Sequence, residues 1–329
     1  MVSLRDVAEA SGVSLGTASK VMNGRPGVGA AKRDEILAIA KQLGYQQRES
    51  KEPAKLIDLV MRGMDSPWSL LVLAGVEAEA ARAGAGVVVS VSHGREVGNR
   101  PWLDRLSKRH SDGLVLVVSQ LGEGWEKELE RLRIPYVLVD PVGAAPPGVP
   151  TVAASNVDGG RQAVEHLAGL GHRKIGIISG VRELACSQER LDGFNTGMAR
   201  AGLKVPASYV AFGNFHQSGG YRQGLKMLSQ RNRPTAIFAG SDLQALGVYK
   251  AAAELGLRIP EDLSVVGFDD SLLSDWMIPG LTTIRQPLED MARQATRILL
   301  QMNEGTEPVT DNLTLATSLV VRGSTAAPK

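Results

Sequence analysis

The chain has 329 residues, 43% of them hydrophobic and 22% charged, and a formal net charge of +2. Such values are typical of a globular protein with length for a small domain and two lobes, each burying its own core. Cys186 is the one cysteine, which excludes an internal disulfide and a thiolate-cluster metal site within one chain. No apolar run approaches the length that crosses a bilayer, and no basic, apolar signal segment begins the sequence, so we expect a cytoplasmic protein without a membrane partner.

The first residues predict a short amphipathic helix. Ser3 can cap this helix while Asp6 reaches back toward the free amides. Leu4, Val7 and Ala8 recur at helical spacing and form the stripe that the helix must bury.

A second short helix is predicted after a turn at Gly12, with Ser14 as its cap. Its outer face is small, hydroxylated and basic, which suits a helix that enters a DNA groove, because small side chains let the backbone approach and hydroxyls or a lysine reach phosphates and base edges. The inward residues are Ala18, Val21 and Met22, and the outer ones are Leu15, Gly16, Thr17, Ser19 and Lys20. Two short amphipathic helices are common in any helix-rich amino terminus, so this pattern alone leaves a helix-turn-helix and an ordinary helical pair both open.

The residues that follow favour the helix-turn-helix. After the second helix come residues 23–27, then an amphipathic helix with Ile36, Leu37, Ile39, Ala40 and Leu43 predicted inward, then Gly44 and Tyr45. The run 1–45 resembles the DNA-binding headpiece of the lactose-repressor (LacI/GalR) family, except that Lys20 stands where the family usually has arginine. Residues 1–55 also carry 9 Lys and Arg against 6 Asp and Glu, a modest electrostatic sign of a nucleic-acid partner.

The predicted DNA contacts all lie in or next to the second helix. Leu15, Gly16 and Lys20 are expected to face base edges, whereas Ser14, Thr17, Ser19 and Asn23 are expected to face phosphates. Lys20 is the one polar base reader among them, because Gly16 has no side chain and Leu15 offers only apolar contact.

Residues 46–55 are polar and predict a linker. In the resembled family this region usually holds a hinge helix that wedges a leucine into the minor groove. Here the segment is shorter, Pro53 interrupts it and no leucine precedes Leu56. The segment therefore departs from the family's hinge at the residues that would form the minor-groove wedge.

From Leu56 onward the sequence predicts an α/β fold of two doubly wound parallel sheets, because short β-branched runs alternate with helical stretches in two successive series. The predicted strands are 56–61, 86–91, 113–118 and 136–139, then 174–178, 209–212, 235–238 and 264–266, with a final strand pair around 313–321. The predicted helices are 69–83, 126–132, 188–201, 219–230, 243–255 and 288–302.

The resemblance extends to the family's two-lobed, periplasmic-binding-protein-like core. It rests on ordered blocks at 165–174, 190–194, 234–242, 262–270 and 281–286. In the family the lobes exchange chain at three crossovers. This implies a first lobe of 56–152 and 284–315, and a second lobe of 153–283 and 316–329, with an effector cleft between them.

Polar and aromatic side chains cluster after the predicted strands, where open α/β sheets bind ligands. Carboxylates and an arginine can bond several hydroxyls at fixed angles, and a flat ring can stack on a sugar. By motif position the resemblance implies these effector contacts: Asp65, Trp68, Asp140, Arg190, Phe215, Asp242, Asp269 and Gln286. An aspartate after a strand can also be only a cap or turn former, so that alternative stays open for each of them.

The expected protein is a transcriptional regulator, most simply a repressor, whose operator affinity depends on a bound sugar. It is expected to act as a homodimer on a near-palindromic double-stranded DNA operator, with first-lobe contacts through residues 70–76 and a helix beginning near Leu288. No metal site, nucleotide site, other cofactor or catalytic constellation emerges from the spacings. The alternatives are a sugar-binding transport receptor and a two-lobed sugar enzyme, neither of which should bind DNA. The resemblance favours a xylose- or cello-type sugar as the effector. Nothing in the sequence separates an inducer from a corepressor.

Overall fold

A computed structural model of the chain describes residues 2–22, 26–45, 55–93, 100–117, 124–143, 145–306, 308 and 310–329. The chain divides into two compact units, Met1–Ala54 and Lys55–Lys329. The predicted DNA contact Asn23 and the predicted linker, apart from Lys55, lie outside the described residues.

The first unit holds three helices within its described residues, α1 (Leu4–Ala10), α2 (Leu15–Met22) and α3 (Ala30–Gln42). The predicted cap of α1 is confirmed: the Asp6 amide donates to Ser3 Oγ at 3.3 Å, and the Ser3 amide donates to Asp6 Oδ2 at 2.7 Å. Val7, Val21, Ile36 and Ala40 form the core that joins the helices.

Two residues of α3 and its end depart from the prediction. Leu37 and Leu43 are 41% and 38% exposed, although both were expected to face inward. Ile36 and Ala40 occupy the buried stripe at a spacing of four, and Leu37 lies about 100° away from Ile36 around the helix. Leu43 follows the last helical residue, where the chain turns at Gly44.

The described part of the second unit contains two six-stranded sheets, so the predicted fold class is confirmed. The first sheet has the order β11-β5-β4-β3-β1-β2. Its strands are β1 (Leu56–Met61), β2 (Gly86–Val91), β3 (Gly113–Val117), β4 (Tyr136–Val139), β5 (Thr151–Ala154) and β11 (Asn312–Leu315). Its helices are α4 (Pro67–Arg82), α5 (Arg100–Arg109), α6 (Trp125–Leu132) and α12 (Leu288–Asn303).

The second sheet has the order β12-β10-β9-β8-β6-β7 and is parallel except for β12, which runs antiparallel to β10. Its strands are β6 (Ile175–Ser179), β7 (Val210–Phe212), β8 (Ala236–Ala239), β9 (Ser264–Asp269), β10 (Thr282–Arg285) and β12 (Ser318–Val320). Its helices are α7 (Asn156–Gly169), α8 (Ala185–Arg200), α9 (Gln217–Leu228), α10 (Asp242–Glu254) and α11 (Leu272–Trp276).

The chain crosses between the lobes at three short passages. These are Ser155 between β5 and α7, residues 286–287 between β10 and α12, and residues 316–317 between β11 and β12. The boundaries predicted after residues 152 and 283 fall inside β5 and β10, and each strand belongs whole to one sheet because it is hydrogen-bonded along its length. The two strands predicted around 313–321 are β11 and β12, which lie in different sheets.

The first and third passages are hydrogen-bonded to each other, and the second is hydrogen-bonded to the end of β9. The Ser155 amide donates to the Leu315 carbonyl at 2.9 Å, and the Thr317 amide donates to Ser155 Oγ at 2.9 Å. The Gln286 amide donates to the Asp269 carbonyl at 3.3 Å. No helix among the described residues is long and apolar enough to cross a membrane.

Candidate functional site

A cavity of about 670 Å³ lies between the two lobes, at the carboxyl ends of their parallel strands. That position follows from the doubly wound fold, because loops after the strands of both sheets converge there. Apolar side chains from each lobe form its walls: Met64, Trp68, Val91 and Val117 from the first, and Val181, Leu184, Phe215 and Leu243 from the second. Its polar lining includes Arg62, Asp65, His93, Asp140, Arg190, Asn214, His216, Ser241, Asp269 and Ser271.

Arg190 is held rigidly at this cavity. It projects from α8 and is 3% exposed. Its Nε donates to Asn156 Oδ1 at 3.0 Å, and its Nη1 donates to the Gly240 carbonyl at 2.5 Å. The guanidinium carbon lies 3.8 Å from the centre of the Phe268 ring, so packing and hydrogen bonds fix its orientation before any ligand arrives.

Asp140 and Asp269 bring one carboxyl group from each lobe to the same cavity. Burial raises the pKa of Asp140 to about 6, although the charge of Arg190 opposes the rise. Burial raises the pKa of Asp269 to about 7, again against the effect of Arg190, and the Asp140 charge adds to the rise. The two carboxyl groups can therefore accept or donate hydrogen bonds near neutral pH, which is useful for binding hydroxyl groups.

Backbone strain is concentrated at the cavity. The lining residues His93, Asp140, Phe215 and Asp269 have φ angles of 52°, 45°, 63° and 119°, in the region that favours glycine. Such conformations persist where the surrounding structure over-determines them, and they often mark ligand sites.

The Phe215 ring is seated on Gly180. A Cβ atom at residue 180 would lie 1.9 Å from that ring, so no other residue fits there without displacing the aromatic group. The ring centre lies 5.4 Å from the Arg190 guanidinium carbon. The missing side chain of Gly180 therefore sets the position of the aromatic wall beside Arg190.

The first-lobe residues Asp65 and Trp68 lie where the sequence predicted, at the start of α4 and on the cavity wall. Asp65 is close to the second lobe, because its Oδ2 lies 3.9 Å from His216 Nδ1. A second contact between the lobes is made by the Ala185 amide, which donates to the Val142 carbonyl at 3.3 Å. The two lobes thus touch at the cavity rim.

Two predicted effector contacts do not line the cavity. Asp242 is fully buried in the second lobe, where its Oδ1 accepts from Thr283 Oγ1 at 2.6 Å and its Oδ2 accepts from the Ser271 amide and hydroxyl. Gln286 lies in the second passage, and its Nε2 donates to Asp269 Oδ1 at 2.7 Å. Asp242 fastens the loop after β9 to β10, and Gln286 holds a cavity carboxyl group. An effector contact by either residue stays a prediction.

Several lining residues were not among the predicted contacts. His93, Asn214 and His216 follow strands, so position alone could have found them. Val181 and Leu184 come from the loop before α8, and no sequence signal indicates their role. Cys186 also lines the cavity, but burial raises the pKa of its thiol to about 12, which makes it unreactive.

The candidate DNA surface is the outer face of α2. Ala18 and Val21 are buried as predicted, while Leu15 is 49% exposed and Lys20 is exposed. Ser14 Oγ accepts from the Thr17 amide at 3.1 Å and shares a 2.9 Å hydrogen bond with Thr17 Oγ1. Ser14 therefore caps α2, and its hydroxyl is partly engaged before any phosphate contact.

Gly16 is not required by the headpiece fold. Its φ is not in the left-handed region, and a Cβ atom added at this residue would have Ser14 Oγ, 3.9 Å away, as its nearest neighbour. The open surface at Gly16 is thus available for close approach of a partner's backbone. Thr17 and Ser19 are half-buried beside it.

Metal ligands are not clustered anywhere in the described ranges, which hold no group of three or more His, Cys, Asp or Glu suited to an ion. The polar cavity groups are instead arranged for hydrogen bonding, with one guanidinium between carboxyl groups from opposite lobes.

Comparison with known proteins matches the headpiece and part of the second unit to two different family models. Residues 3–47 match the family described as bacterial regulatory proteins of the lacI family, and residues 164–325 match a periplasmic binding protein-like domain. The HTH-type transcriptional repressor PurR of Escherichia coli O1:K1 / APEC is 32% identical over 316 residues, which cover 94% of this chain and 93% of the relative.

Two solved structures are similar over nearly the whole chain. A complex of the transcriptional regulator CelR with cellobiose is 31% identical, with a TM-score of 0.73, and the match covers 98% of this chain and 100% of that one. A lac repressor dimer bound to operator and the anti-inducer ONPF is 30% identical, with a TM-score of 0.78 and 99% of each chain covered.

Proposed function

Since this chain belongs to the lacI family of bacterial regulatory proteins, it is a DNA-binding transcriptional regulator under small-molecule control, and we propose that its effector is an uncharged sugar. The sugar binds between the lobes of the second unit. The headpiece binds an operator, and the protein acts as a repressor in the cytoplasm, where operator DNA is found.

The observation that carries this proposal is the group formed by Arg190, Asp140 and Asp269 at the cavity. A fixed guanidinium donates to hydroxyl oxygens, and carboxyl groups from both lobes accept from or donate to them. Trp68 and Phe215 supply flat apolar surfaces on opposite walls, and such rings stack on the apolar face of a sugar.

The charges at the cavity favour an uncharged ligand over a sugar phosphate. Its lining has Arg62 and Arg190 against Asp65, Asp140 and Asp269. A phosphate would lie beside carboxyl groups that its negative charge repels. A volume of about 670 Å³ falls in the usual range for small-molecule sites, about 300–1,000 Å³, so a disaccharide such as cellobiose fits the proposal as well as a pentose.

We place the dimer surface on the first lobe, with a near-palindromic operator as the DNA partner. Part of the predicted surface at residues 70–76 serves the lobe itself, because Val72, Gly75 and Val76 are buried. A Cβ atom on Gly75 would lie 2.4 Å from the Glu289 carbonyl oxygen at the start of α12. Leu70, which is 57% exposed on the same helix, remains for the partner copy.

Closure of the lobes on the sugar changes the spacing of the paired headpieces in this mechanism. A coupling free energy of about 1–3 kcal/mol changes operator affinity by about 5- to 150-fold. DNA binding also separates this proposal from a transport receptor or a sugar enzyme, and the relatives above are transcriptional regulators.

The test is an electrophoretic mobility shift on the DNA upstream of the protein's own gene, with cellobiose, xylose and glucose 6-phosphate added in turn. We expect a shifted complex whose affinity changes with an uncharged sugar and not with the phosphate. Calorimetry with the same compounds gives the binding affinities directly. Absence of a shifted complex would reject operator binding, and a response restricted to the phosphate would reject the uncharged effector.

A further inference from the structure

The passages between the lobes are connected to the cavity by two amide side chains. Asn156 follows the first passage, and its Oδ1 accepts from Arg190 Nε at 3.0 Å. Its Nδ2 donates to the Ala154 carbonyl of β5 at 3.3 Å and to Glu189 Oε2 at 2.9 Å. This one side chain therefore joins the cavity arginine to the last strand of the first lobe before the passage.

Gln286 makes the corresponding connection in the second passage. Its Nε2 donates to Asp269 Oδ1 at 2.7 Å, and its backbone amide donates to the carbonyl of the same residue. Gln286 is 4% exposed, and its Oε1 is buried with no hydrogen-bond partner. A buried unpaired oxygen costs free energy of about 1–3 kcal/mol. The side-chain amide therefore keeps an orientation in which Nε2 donates to Asp269 although Oε1 is left unpaired.

The third passage is joined to the first. Thr317 donates both its amide and its hydroxyl to Ser155, at 2.9 Å and 3.2 Å. Gln162 Nε2 donates to the Thr317 carbonyl at 3.3 Å, and Gln162 does not line the cavity. The first and third passages are thus hydrogen-bonded to each other. The second is linked to them only through the cavity, where the Asp269 carboxyl group held by Gln286 interacts electrostatically with the Arg190 guanidinium held by Asn156.

From this arrangement we infer that Asn156 and Gln286 are positioning residues that couple the occupancy of Arg190 and Asp269 to the three passages and so to the angle between the lobes. An effector that bonds Arg190 and Asp269 competes for, or strengthens, the same groups that hold the passages. The inference rests on the proposed function, because it gives the route by which that effector moves the lobes.

Amide hydrogen exchange of the full-length protein tests this coupling without DNA or sugar, so its failure is distinct from a failure of the proposed function. The probes are the amides of Ser155, Gln286 and Thr317, one from each passage. Gln286→Met removes the donor at similar side-chain volume, and Asn156→Leu does the same at the first passage. Gln162→Met is the matched control, since it removes a passage hydrogen bond that does not reach the cavity.

We expect Gln286→Met to speed exchange at least fivefold at Ser155 and Thr317 as well as at residue 286, and Asn156→Leu to speed exchange at Gln286. The control should change exchange near Thr317 only. A purely local role predicts changes confined to the mutated passage, and that outcome overturns the coupling. The same response from the Gln162 control also overturns it.

A second variant keeps the test valid if Gln286→Met does not fold. Gln286→Glu places a carboxyl group against Asp269, which also faces Arg190 of α8, Asp140 after β4 and Asp242 of α10. Below pH 6 the two carboxyl groups can share a proton, which restores a hydrogen bond, whereas at pH 8 they repel. After correction for intrinsic exchange rates, we expect near wild-type protection at all three passages below pH 6 and its loss at pH 8. Equal protection at both pH values would contradict the assigned role of Gln286.

Discussion

The outer face of α2 and the cavity between the lobes are suited to recognition by opposite means. On α2 the expected base contacts Leu15, Gly16 and Lys20 are exposed, and Gly16 is not needed for the local fold. In the cavity Arg190, Asp140 and Asp269 are 3%, 5% and 7% exposed and are held by the protein itself. A change on α2 should therefore alter binding with little effect on stability, while a change in the cavity should alter both together.

The largest effect is expected from Arg190→Ala. Removal of this cation leaves Asp140 and Asp269 buried without their opposite charge, which should lower the free energy of unfolding by about 3–5 kcal/mol. The effector response should be abolished while operator affinity without effector is retained. Mobility shifts with and without sugar, together with denaturant unfolding, measure the two effects.

Arg182→Ala is the matched control for Arg190, because Arg182 is exposed and its guanidinium carbon lies 3.9 Å from the Phe212 ring centre, outside the cavity lining. It should leave the effector response intact. An unaltered effector response in Arg190→Ala would show that Arg190 does not contact the effector.

The next effect is a pH-dependent gain of stability in Asp269→Asn. Because the pKa of Asp269 is raised from 3.8 to about 7 in the folded protein, its carboxyl group favours folding fully below pH 4, and this contribution is lost as the pH rises through 7. The variant has no carboxyl group to ionise at this residue, so its free energy of unfolding should exceed that of the wild type at pH 8 by up to about 4 kcal/mol, at about 1.4 kcal/mol per pKa unit. At pH 4 the two free energies should differ little. Urea unfolding across this pH range checks the trend, and a constant difference would refute the buried charge as its cause. Sugar binding should weaken in the same variant.

A smaller effect, confined to binding, is expected from Lys20→Ala. Loss of a base contact should cost about 1–3 kcal/mol and relax sequence preference at one operator position, with the unfolding free energy unchanged. Lys32→Ala is a control of equal charge, because Lys32 pairs with Glu35 at 2.8 Å on α3. Binding measured on a set of single-base operator variants should separate the two, and an unchanged preference in Lys20→Ala would show that Lys20 does not read bases.

The smallest effect on stability is expected from Gly16→Ala. Alanine favours the helix over glycine by about 0.5–1 kcal/mol, and the site has space for a methyl group, so the melting temperature should rise slightly. Operator affinity should nevertheless fall, since the methyl group keeps the backbone away from DNA. Gly12→Ala should instead lower stability, because Gly12 has a φ of 60°. Unimpaired operator binding in Gly16→Ala would mean that no close backbone approach occurs there.

Much of the fold was predictable because local patterns carry it. The buried β-branched runs gave the bounds of β1, β2 and β4 and placed β3, β6, β7, β8 and β9 to within one to three residues. The capping box at Ser3 was found from its spacing. β5 and β10 were missed as strands, since they are short and lie next to passages where the chain changes lobe. Their pairing depends on distant neighbours, which a local pattern does not contain.

The candidate site was predictable in part for the same reason. Position after a strand places Asp140, Phe215 and Asp269 near one edge of the sheets, and motif position adds Arg190 in α8; each lines the cavity. Asp242 and Gln286 satisfy the same positional rule but do not line the cavity, and their side chains are hydrogen-bonded to Thr283, Ser271 and Asp269. Which polar group faces the ligand depends on those competing hydrogen bonds.

The sequence by itself determined the helix-turn-helix, the two α/β lobes and the family, because caps, apolar periodicity and ordered motifs are properties of neighbouring residues. Only the tertiary structure decided how the charges are used. It brought Asp140 from one lobe beside Arg190 and Asp269 from the other, and it engaged Asn156 and Gln286 with them across the passages. Burial and electrostatic interaction depend on distances through space, and these arise only when the chain crosses between its lobes.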